Sequence, residues 1–251
     1  EPVITKATEV NFEAGDQIGF TMTKVNGTEA YADNAALTFD GTVFSGDLMW
    51  YADAYSEADV YAYYPYNANG TPAAYAAVLD QTAGIAQADF MAAAKKGVLP
   101  TPNAITMVFK HLMTKIVVNI DNQSGADVTA VKILGGDAAC EIDLPNLAVL
   151  PESGAMSTEL TEITAYEATA GKVWKAIVIP QTVKLSVEVS LSNGKKITQP
   201  LAEMTLKSGG QYSINARLLQ DDMTVSASGE IENWTDEGEI GFEGEGTTEE
   251  I

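Results

Sequence analysis

The chain has one cysteine, one histidine and one arginine, and each scarcity limits the chemistry available to it. Cys140 has no second cysteine with which to form an internal disulfide. A lone cysteine among apolar neighbours is typical of a small buried hydrophobic residue. Any Ser-His-Asp or Cys-His arrangement would have to use His111. Because His111 lies in a predicted strand between Phe109 and Met113, we expect a structural histidine there.

Basic residues are scarce as a class, with 14 Lys and Arg against 35 Asp and Glu and a net charge of −21. Nucleic-acid binding requires cations that neutralise phosphates, so this balance excludes a nucleic-acid partner. The same charge opposes adhesion to an anionic membrane surface. No segment approaches the roughly 20 apolar residues of a membrane span, so we expect no membrane insertion of the mature chain. The first residue is Glu1 and not methionine, which predicts a processed or trimmed product.

Known catalytic and cofactor motifs are also missing from the sequence. It contains no GxxxxGK[ST] phosphate loop, no GxGxxG that opens a helix and no HExxH. The carboxylate pairs Asp221-Asp222 and Asp236-Glu237 could bind Ca²⁺, but such pairs are common in solvated turns. We therefore predict no catalytic residue, no metal and no cofactor. A secreted hydrolase with two carboxylates about 5–10 Å apart stays open as an alternative, although no pair stands out.

Short strand-like segments separated by turn signals run through the whole chain. Residues 183–191 alternate between apolar and polar positions, which predicts a half-buried strand. Asp40-Gly41 is a two-residue hairpin signal. Residues 84–96 are the one exception, because their alanines suggest helical turns that end at Gly97, or else a long loop. The predicted strands are residues 8–12, 17–23, 37–39, 42–44, 47–51, 59–66, 105–109, 112–120, 128–134, 140–144, 174–179, 183–191, 196–201, 211–219, 223–227 and 230–234. Their spacing of roughly 8–12 residues without intervening helices predicts an all-β sandwich architecture.

A tyrosine-rich strand is predicted at residues 59–66, which read Asp-Val-Tyr-Ala-Tyr-Tyr-Pro-Tyr. Its tyrosines are Tyr61, Tyr63, Tyr64 and Tyr66. Strand alternation directs Tyr64 to one face and Tyr61 and Tyr63 to the other, so the strand can lie between two packed layers. Pro65 lacks a ladder donor and ends the pairing. Together with Trp50, Tyr51, Tyr55 and Tyr75, these four tyrosines could instead form a sugar-binding platform. The alternation favours core filling.

The C-terminal segment is strongly acidic. From Leu218 onward there are eleven acidic residues and no basic one. Residues 238–251 are rich in Gly, Glu and Thr, which favours a solvated tail. In the alternative, residues 239–242 form a short strand that a partner can use.

Several motifs, in this order, resemble the fimbrillin family, the Mfa-like type V pilins of the Bacteroidota. The matching segments are Phe12 with residues 15–20 (Gly-Asp-Gln-Ile-Gly-Phe), residues 48–50 (Leu-Met-Trp), the tyrosine strand, residues 88–93 (Ala-Asp-Phe-Met-Ala-Ala), residues 108–115 (Val-Phe-Lys-His-Leu-Met-Thr-Lys), residues 209–212 (Gly-Gly-Gln-Tyr) and residues 231–234 (Ile-Glu-Asn-Trp). The resemblance spans nearly the whole chain. It implies two transthyretin-like β-sandwich domains in tandem, which we expect at residues 1–107 and at residues 108–251 with the acidic tail.

The resemblance also implies a function. Members of the family are exported as lipoproteins, carried to the outer-membrane surface and assembled into fimbriae. In stalk members, an Arg-directed protease removes an N-terminal segment, and the vacated groove accepts a strand from the next subunit. Arg217 is the single arginine and lies in a predicted strand, so no N-terminal processing site is visible here. Other members cap the tip or anchor the base.

These expectations predict a structural or adhesive subunit of a cell-surface fimbria that assembles by donor-strand exchange. Its partners would be other fimbrial subunits in a head-to-tail polymer, with host or bacterial surface receptors as further partners. Candidate donor segments are residues 2–10 and residues 225–242, and we favour the second. The donor side chains in that segment would be Val225, Ile231, Trp234, Ile240 and Phe242. The alternative is a surface glycan-binding lipoprotein that uses the tyrosine-rich region.

Overall fold

The strands account for nearly all regular structure in this protein. The computed structural model describes residues 12–25, 27, 30–48, 56–101, 103–151, 161–220, 222–233 and 242–243. Within these residues, the one helical element is a turn of 3-10 helix at Leu144–Asn146. The all-β prediction is therefore confirmed. The strands of the first half are β1 (Gln17–Lys24), β2 (Ala30–Phe39), β3 (Phe44–Ser45), β4 (Ala58–Tyr64), β5 (Ala74–Ala76), β6 (Met91–Val98) and β7 (Lys110–His111).

The second half of the chain continues in the same way. Its strands are β8 (Thr114–Asn122), β9 (Val128–Leu134), β10 (Ala139–Asp143), β11 (Ala148–Pro151), β12 (Glu162–Thr164), β13 (Tyr166–Thr169), β14 (Val173–Val178), β15 (Thr182–Val183), β16 (Ser186–Leu191), β17 (Lys196–Pro200), β18 (Met204–Thr205), β19 (Gly210–Leu218), β20 (Met223–Asn233) and β21 (Phe242–Glu243).

Two large sheets carry most of the structure. A seven-stranded sheet has the order β21-β3-β2-β1-β4-β6-β7, and a five-stranded sheet has the order β13-β14-β8-β19-β20. A four-stranded sheet, β12-β9-β16-β17, a three-stranded sheet, β11-β10-β5, and the pair β15-β18 complete the fold. Strands β8 and β19 pair in parallel, as do β3 and β21, whereas the other named pairs are antiparallel.

The tyrosine strand is β4, and it lies near the middle of the seven-stranded sheet. Val60, Ala62 and Tyr64 belong to one buried apolar cluster, whereas Tyr63 belongs to another. The prediction of a strand between two packed layers is thus confirmed. The strand ends at Tyr64, directly before Pro65, as the missing backbone donor requires.

The helical interpretation of residues 84–96 is wrong. Met91–Val98 forms β6, which pairs with β4 so that Tyr63 faces Ala92 and Ala62 faces Ala93. Both alanines are completely buried. Packing overrides the helix propensity of alanine here, because small side chains let layers approach both faces of the sheet next to the bulky tyrosines.

The hairpin at Asp40-Gly41 exists, but its loop is longer than predicted. Strand β2 pairs with β3 through Phe39 and Phe44, so residues 40–43 form a four-residue connection. The Asp40 amide donates to the Val43 carbonyl at 3.1 Å. The Asp40 carboxylate accepts from the Val43 and Thr42 amides at 2.9 and 2.7 Å, and these hydrogen bonds lower the pKa of Asp40.

The four- and five-stranded sheets enclose one core. Val187, Val189 and Leu191 on β16 pack there with Trp174 and Ile116. The predicted strand at residues 183–191 is confirmed in its alternation, although it is divided into β15 and β16.

A third apolar cluster combines the two halves of the chain. It contains Tyr63 and Phe90 from the first half and Leu112, Cys140 and Ile177 from the second. Strand β5 also pairs with β10. The division into two transthyretin-like domains at residues 1–107 and 108–251 stays a prediction.

Candidate assembly interface

The C-terminal end of the described chain returns to the N-terminal half. Strand β21 pairs in parallel with β3, with Phe242 opposite Phe44 and Glu243 opposite Ser45. It thereby forms an edge of the seven-stranded sheet. The backbone of this segment therefore adds a strand to an edge formed by residues about 200 positions earlier in the chain.

The edge that receives β21 is anchored in an aromatic cluster. Phe44 is completely buried, and its ring lies 4.9 Å from that of Phe39 and 5.0 Å from that of Phe12. The ring of Phe12 also packs edge-on against Tyr64 at 5.4 Å and Phe109 at 5.2 Å. These contacts hold β3 in position, because edge-to-face aromatic packing adds to the burial of each ring.

The other predicted donor residues have different positions. Val225 lies in β20 opposite Ala216 and packs against the core of the second half. Ile231 also lies in β20, which pairs with β19. Trp234 and Ile240 lie outside the described residues. The assignment of these side chains to a donor strand stays a prediction.

Tyr63 of the tyrosine strand fastens a neighbouring loop to the sheet. Its hydroxyl donates to Asn34 Oδ1 at 2.6 Å and accepts from the Asn67 amide at 3.2 Å. Asn34 Nδ2 in turn donates to the Asn67 carbonyl at 2.9 Å. Asn34 has a φ of 50°, a left-handed conformation that asparagine tolerates better than most residues. Burial raises the pKa of the Tyr63 hydroxyl.

The remaining tyrosines of the signature do not form an exposed platform. Tyr64 is buried, and Tyr61 and Tyr66 are half-buried. Burial, followed by the charge of Asp59, raises the pKa of Tyr61. Tyr75 is also buried, and its hydroxyl donates to the Ala88 carbonyl at 2.8 Å. The other members of the proposed sugar platform, Trp50, Tyr51 and Tyr55, lie outside the described residues.

His111 contacts Asp89 inside the protein. The distance between His111 Nδ1 and Asp89 Oδ2 is 2.7 Å, and both side chains are at most one tenth exposed. His111 lies in β7 and faces Met91 at the start of β6. The pair thus fastens β7 to the segment that precedes β6, as expected of a structural histidine.

Cys140 is buried, as the sequence predicts, and it lies in the cluster that combines the two halves. Across the described ranges, no group of three or more His, Cys, Asp or Glu residues is arranged to hold a metal ion. Of the two carboxylate pairs, only Asp222 is described. In the same part of the chain, no helix has the length and apolar character needed to cross a membrane.

Sequence reasoning missed two polar residues that organise this structure. Asn34 lies in a strand that the sequence predicted only at residues 37–39, because residues 30–36 have no clear alternation. Gln81 is almost completely buried. It follows no motif, and no local pattern marks it as buried.

Comparison with known proteins identifies the family. A fimbrillin-like family model matches residues 5–234. The crystal structure of a proposed cell adhesion protein from Bacteroides ovatus ATCC 8483 has a TM-score of 0.68 and 24% sequence identity, over 92% of this chain and 91% of that chain. A proposed cell adhesion protein from Bacteroides uniformis ATCC 8492 has a TM-score of 0.68 and 19% identity, over 94% of this chain and all of that chain.

The tip fimbrial protein Mfa3 from Porphyromonas gingivalis, with a C-terminal truncation, has the same fold. Its TM-score is 0.55 at 8% identity, over 89% of this chain and 96% of that chain. No curated protein sequence matches the chain. The family model covers nearly all of the sequence, and the solved structures agree with the observed fold. The chain therefore belongs to the fimbrillin-like family of structural and adhesive subunits, which are not enzymes.

Proposed function

We propose that this protein is a subunit of a cell-surface fimbria and that it assembles by donor-strand exchange through its C-terminal segment. The pairing of β21 with β3 is the observation that carries the proposal. In exchange, the C-terminal segment of one copy pairs with β3 of the next copy. Its partners are other fimbrial subunits, with host or bacterial surface receptors beyond them. The precursor is exported as a lipoprotein to the outer membrane.

The physical basis is the exposed edge that β3 would have without β21. An edge strand presents N–H and C=O groups that need partners. A strand from another copy supplies the same hydrogen bonds as a strand from the same chain. Exchange therefore keeps the backbone hydrogen bonds that β3 makes. Repetition of one head-to-tail contact does not close on itself and gives a filament.

Two truncations test which segment is the donor. A chain that ends at Asn233 keeps β20 and lacks β21, and it should fold without forming fibres. A chain that ends at Glu243 keeps β21 and should form fibres, which makes it the matched control. Fibres are counted by electron microscopy, and folding is checked by circular dichroism. If the chain that ends at Asn233 forms as many fibres as the full chain, the proposal is wrong.

A cysteine pair tests where the donor binds. Ser45 is exposed and faces Glu243 across the pairing of β3 with β21. In a Cys140→Ser background, Ser45→Cys and Glu243→Cys should form disulfides between copies in fibres, visible as a ladder on a non-reducing gel. If disulfides in fibres form only within single chains, the exchange does not occur at β3.

A further inference from the structure

The outer face of the five-stranded sheet contains a shallow groove. Its volume is about 500 Å³, and it is lined by residues of β8, β19 and β20, by Val173 of β14 and by Lys172 in the turn before β14. Ile120 and Ala216 of these strands are buried in the core, and Val225 packs against it. Successive side chains in a strand point to opposite faces, so the residues before and after these three point away from the core. The groove therefore lies on the side of the sheet that faces away from this core.

Strand register arranges the polar side chains of the groove in two rows. Each row takes one residue from β8, one from β19 and one from β20. The first row is Asn119, Asn215 and Ser226, and the second row is Asp121, Arg217 and Thr224. Asn119 Nδ2 donates to Asn215 Oδ1 at 3.1 Å. Asparagine and aspartate are depleted in strands, so sheet stability does not explain these side chains in paired strands.

The outer face of the four-stranded sheet shows a more common arrangement. There, Lys132 contacts Glu162 at 2.9 Å and Lys196 contacts Glu188 at 3.4 Å. Alternating charges of this kind keep an exposed sheet face soluble. The groove adds amides and hydroxyls to three charged groups, Asp121, Lys172 and Arg217. This set of donors and acceptors can hydrogen-bond to many hydroxyl groups.

The charge of the groove is opposite to that of the chain. Arg217, the one arginine of the sequence, and Lys172 both line it, with Asp121 as the acidic member. Arg217 Nη2 donates to Gln123 Oε1 at 2.9 Å, and Arg217 Nε lies 3.6 Å from Asp121 Oδ2. These contacts orient the guanidinium at the groove while leaving more than half of the side chain exposed.

We infer that this groove binds a saccharide that carries a carboxylate group. The planar fork of Arg217 matches a carboxylate, and Lys172 adds a second positive charge. The asparagine and hydroxyl side chains of the two rows bind the sugar hydroxyls. A shallow, open site gives weak binding in one copy. In a fibre of the kind proposed above, many copies would raise the overall avidity.

Isothermal titration calorimetry on the full chain tests this inference. The acidic probes are glucuronic acid and sialyllactose, and the neutral probe is lactose. At least one acidic probe should bind, and lactose should bind about tenfold or more weakly, because it lacks the charge-assisted hydrogen bonds. Absence of binding by both acidic probes at millimolar concentration, or equal binding of lactose, would overturn the inference.

Matched variants distinguish binding in the groove from general electrostatic attraction of the probe to the protein. Arg217→Gln should weaken binding of the acidic probe about tenfold or more, and Arg217→Lys should also weaken it because the fork is lost. Lys132→Gln makes the same charge change on the other sheet and should leave binding unchanged. Equal loss in Lys132→Gln and Arg217→Gln would show that net charge alone attracts the probe, which contradicts a site in the groove. Circular dichroism confirms the fold of each variant.

Discussion

The side-chain amide of Gln81 pairs with both backbone groups of Ile177. Gln81 Oε1 accepts from the Ile177 amide at 2.8 Å, and Gln81 Nε2 donates to the Ile177 carbonyl at 2.8 Å. Strand β13 pairs with β14 only as far as Lys175, so the glutamine takes the place of a neighbouring strand at Ile177. A residue of the first half thereby completes a sheet of the second half.

Replacement of Gln81 should therefore destabilise the whole fold. Gln81→Leu leaves the amide and the carbonyl of Ile177 buried without these partners, and we expect a loss of about 3 kcal/mol in the free energy of unfolding. Gln17→Leu, at an exposed position of β1, should change it by less than about 0.5 kcal/mol. Urea unfolding measures both variants. A loss in Gln81→Leu no larger than in Gln17→Leu would contradict the role of this pairing.

Position 19 must be glycine because the ring of Tyr63 occupies the space that a Cβ atom would need. A Cβ atom at Gly19 would overlap the Tyr63 ring, and the hydrogen bond of Tyr63 to Asn34 prevents the ring from moving away. Gly19→Ala should thus cost about 2–3 kcal/mol in unfolding free energy, the range of an overpacked core. Gly27→Ala serves as the control, because a Cβ atom there would lie 3.3 Å from Lys24 Cβ without overlapping a ring.

A Tyr63→Leu variant tests whether the ring of Tyr63 is the cause of the destabilisation by Gly19→Ala. In a Tyr63→Leu protein the ring is absent, so the further cost of Gly19→Ala should be much smaller than in the natural sequence. Thermal or urea unfolding of the four proteins gives this coupling directly. Equal costs in both backgrounds would show that the ring of Tyr63 is not the cause.

Tyr75 should contribute to unfolding at alkaline pH. Burial raises the pKa of Tyr75 above its ordinary value of 10.0, so the folded state keeps the proton after the unfolded state has lost it. The stability from this group is complete below about pH 10 and falls by about 1.4 kcal/mol per pH unit above it.

The variant Tyr75→Phe isolates this contribution. At neutral pH it should be about 1 kcal/mol less stable than the natural protein, because the hydrogen bond to the Ala88 carbonyl is lost. Above about pH 10 the difference should shrink, since phenylalanine does not ionise. Urea unfolding between roughly pH 8 and 11.5 measures both curves. Parallel curves over this range would contradict the prediction.

Cys140 should react only when the protein unfolds. Its thiol is buried, so labelling by a thiol reagent should occur at the rate of global opening and should accelerate with added urea. Cys140→Ser should assemble into fibres like the natural chain. Fast labelling in the folded state, or a folded variant that fails to assemble, would show that the thiol has a further role.

Local patterns predicted the features that depend on neighbouring residues in the sequence. The alternation of β16 and the two faces of β4 follow from the strand period of two, and the end of β4 follows from the missing donor of Pro65. Residues 84–96 misled the same reasoning, because Ala92 and Ala93 favour a helix locally and become strand residues through contact with Tyr63 and the layers around β4.

Local sequence patterns were enough to establish an all-β chain, the tyrosine strand with two buried faces, a buried cysteine and the family to which the chain belongs. The pairing of Gln81 with Ile177 and the return of β21 to β3 became visible only in the folded chain. The same is true of the groove that Asn119 and Arg217 line together. The physical reason is that strand periodicity arises within a few residues, whereas these contacts join segments far apart in the chain. Their pairing depends on how whole sheets pack, and no local pattern encodes it.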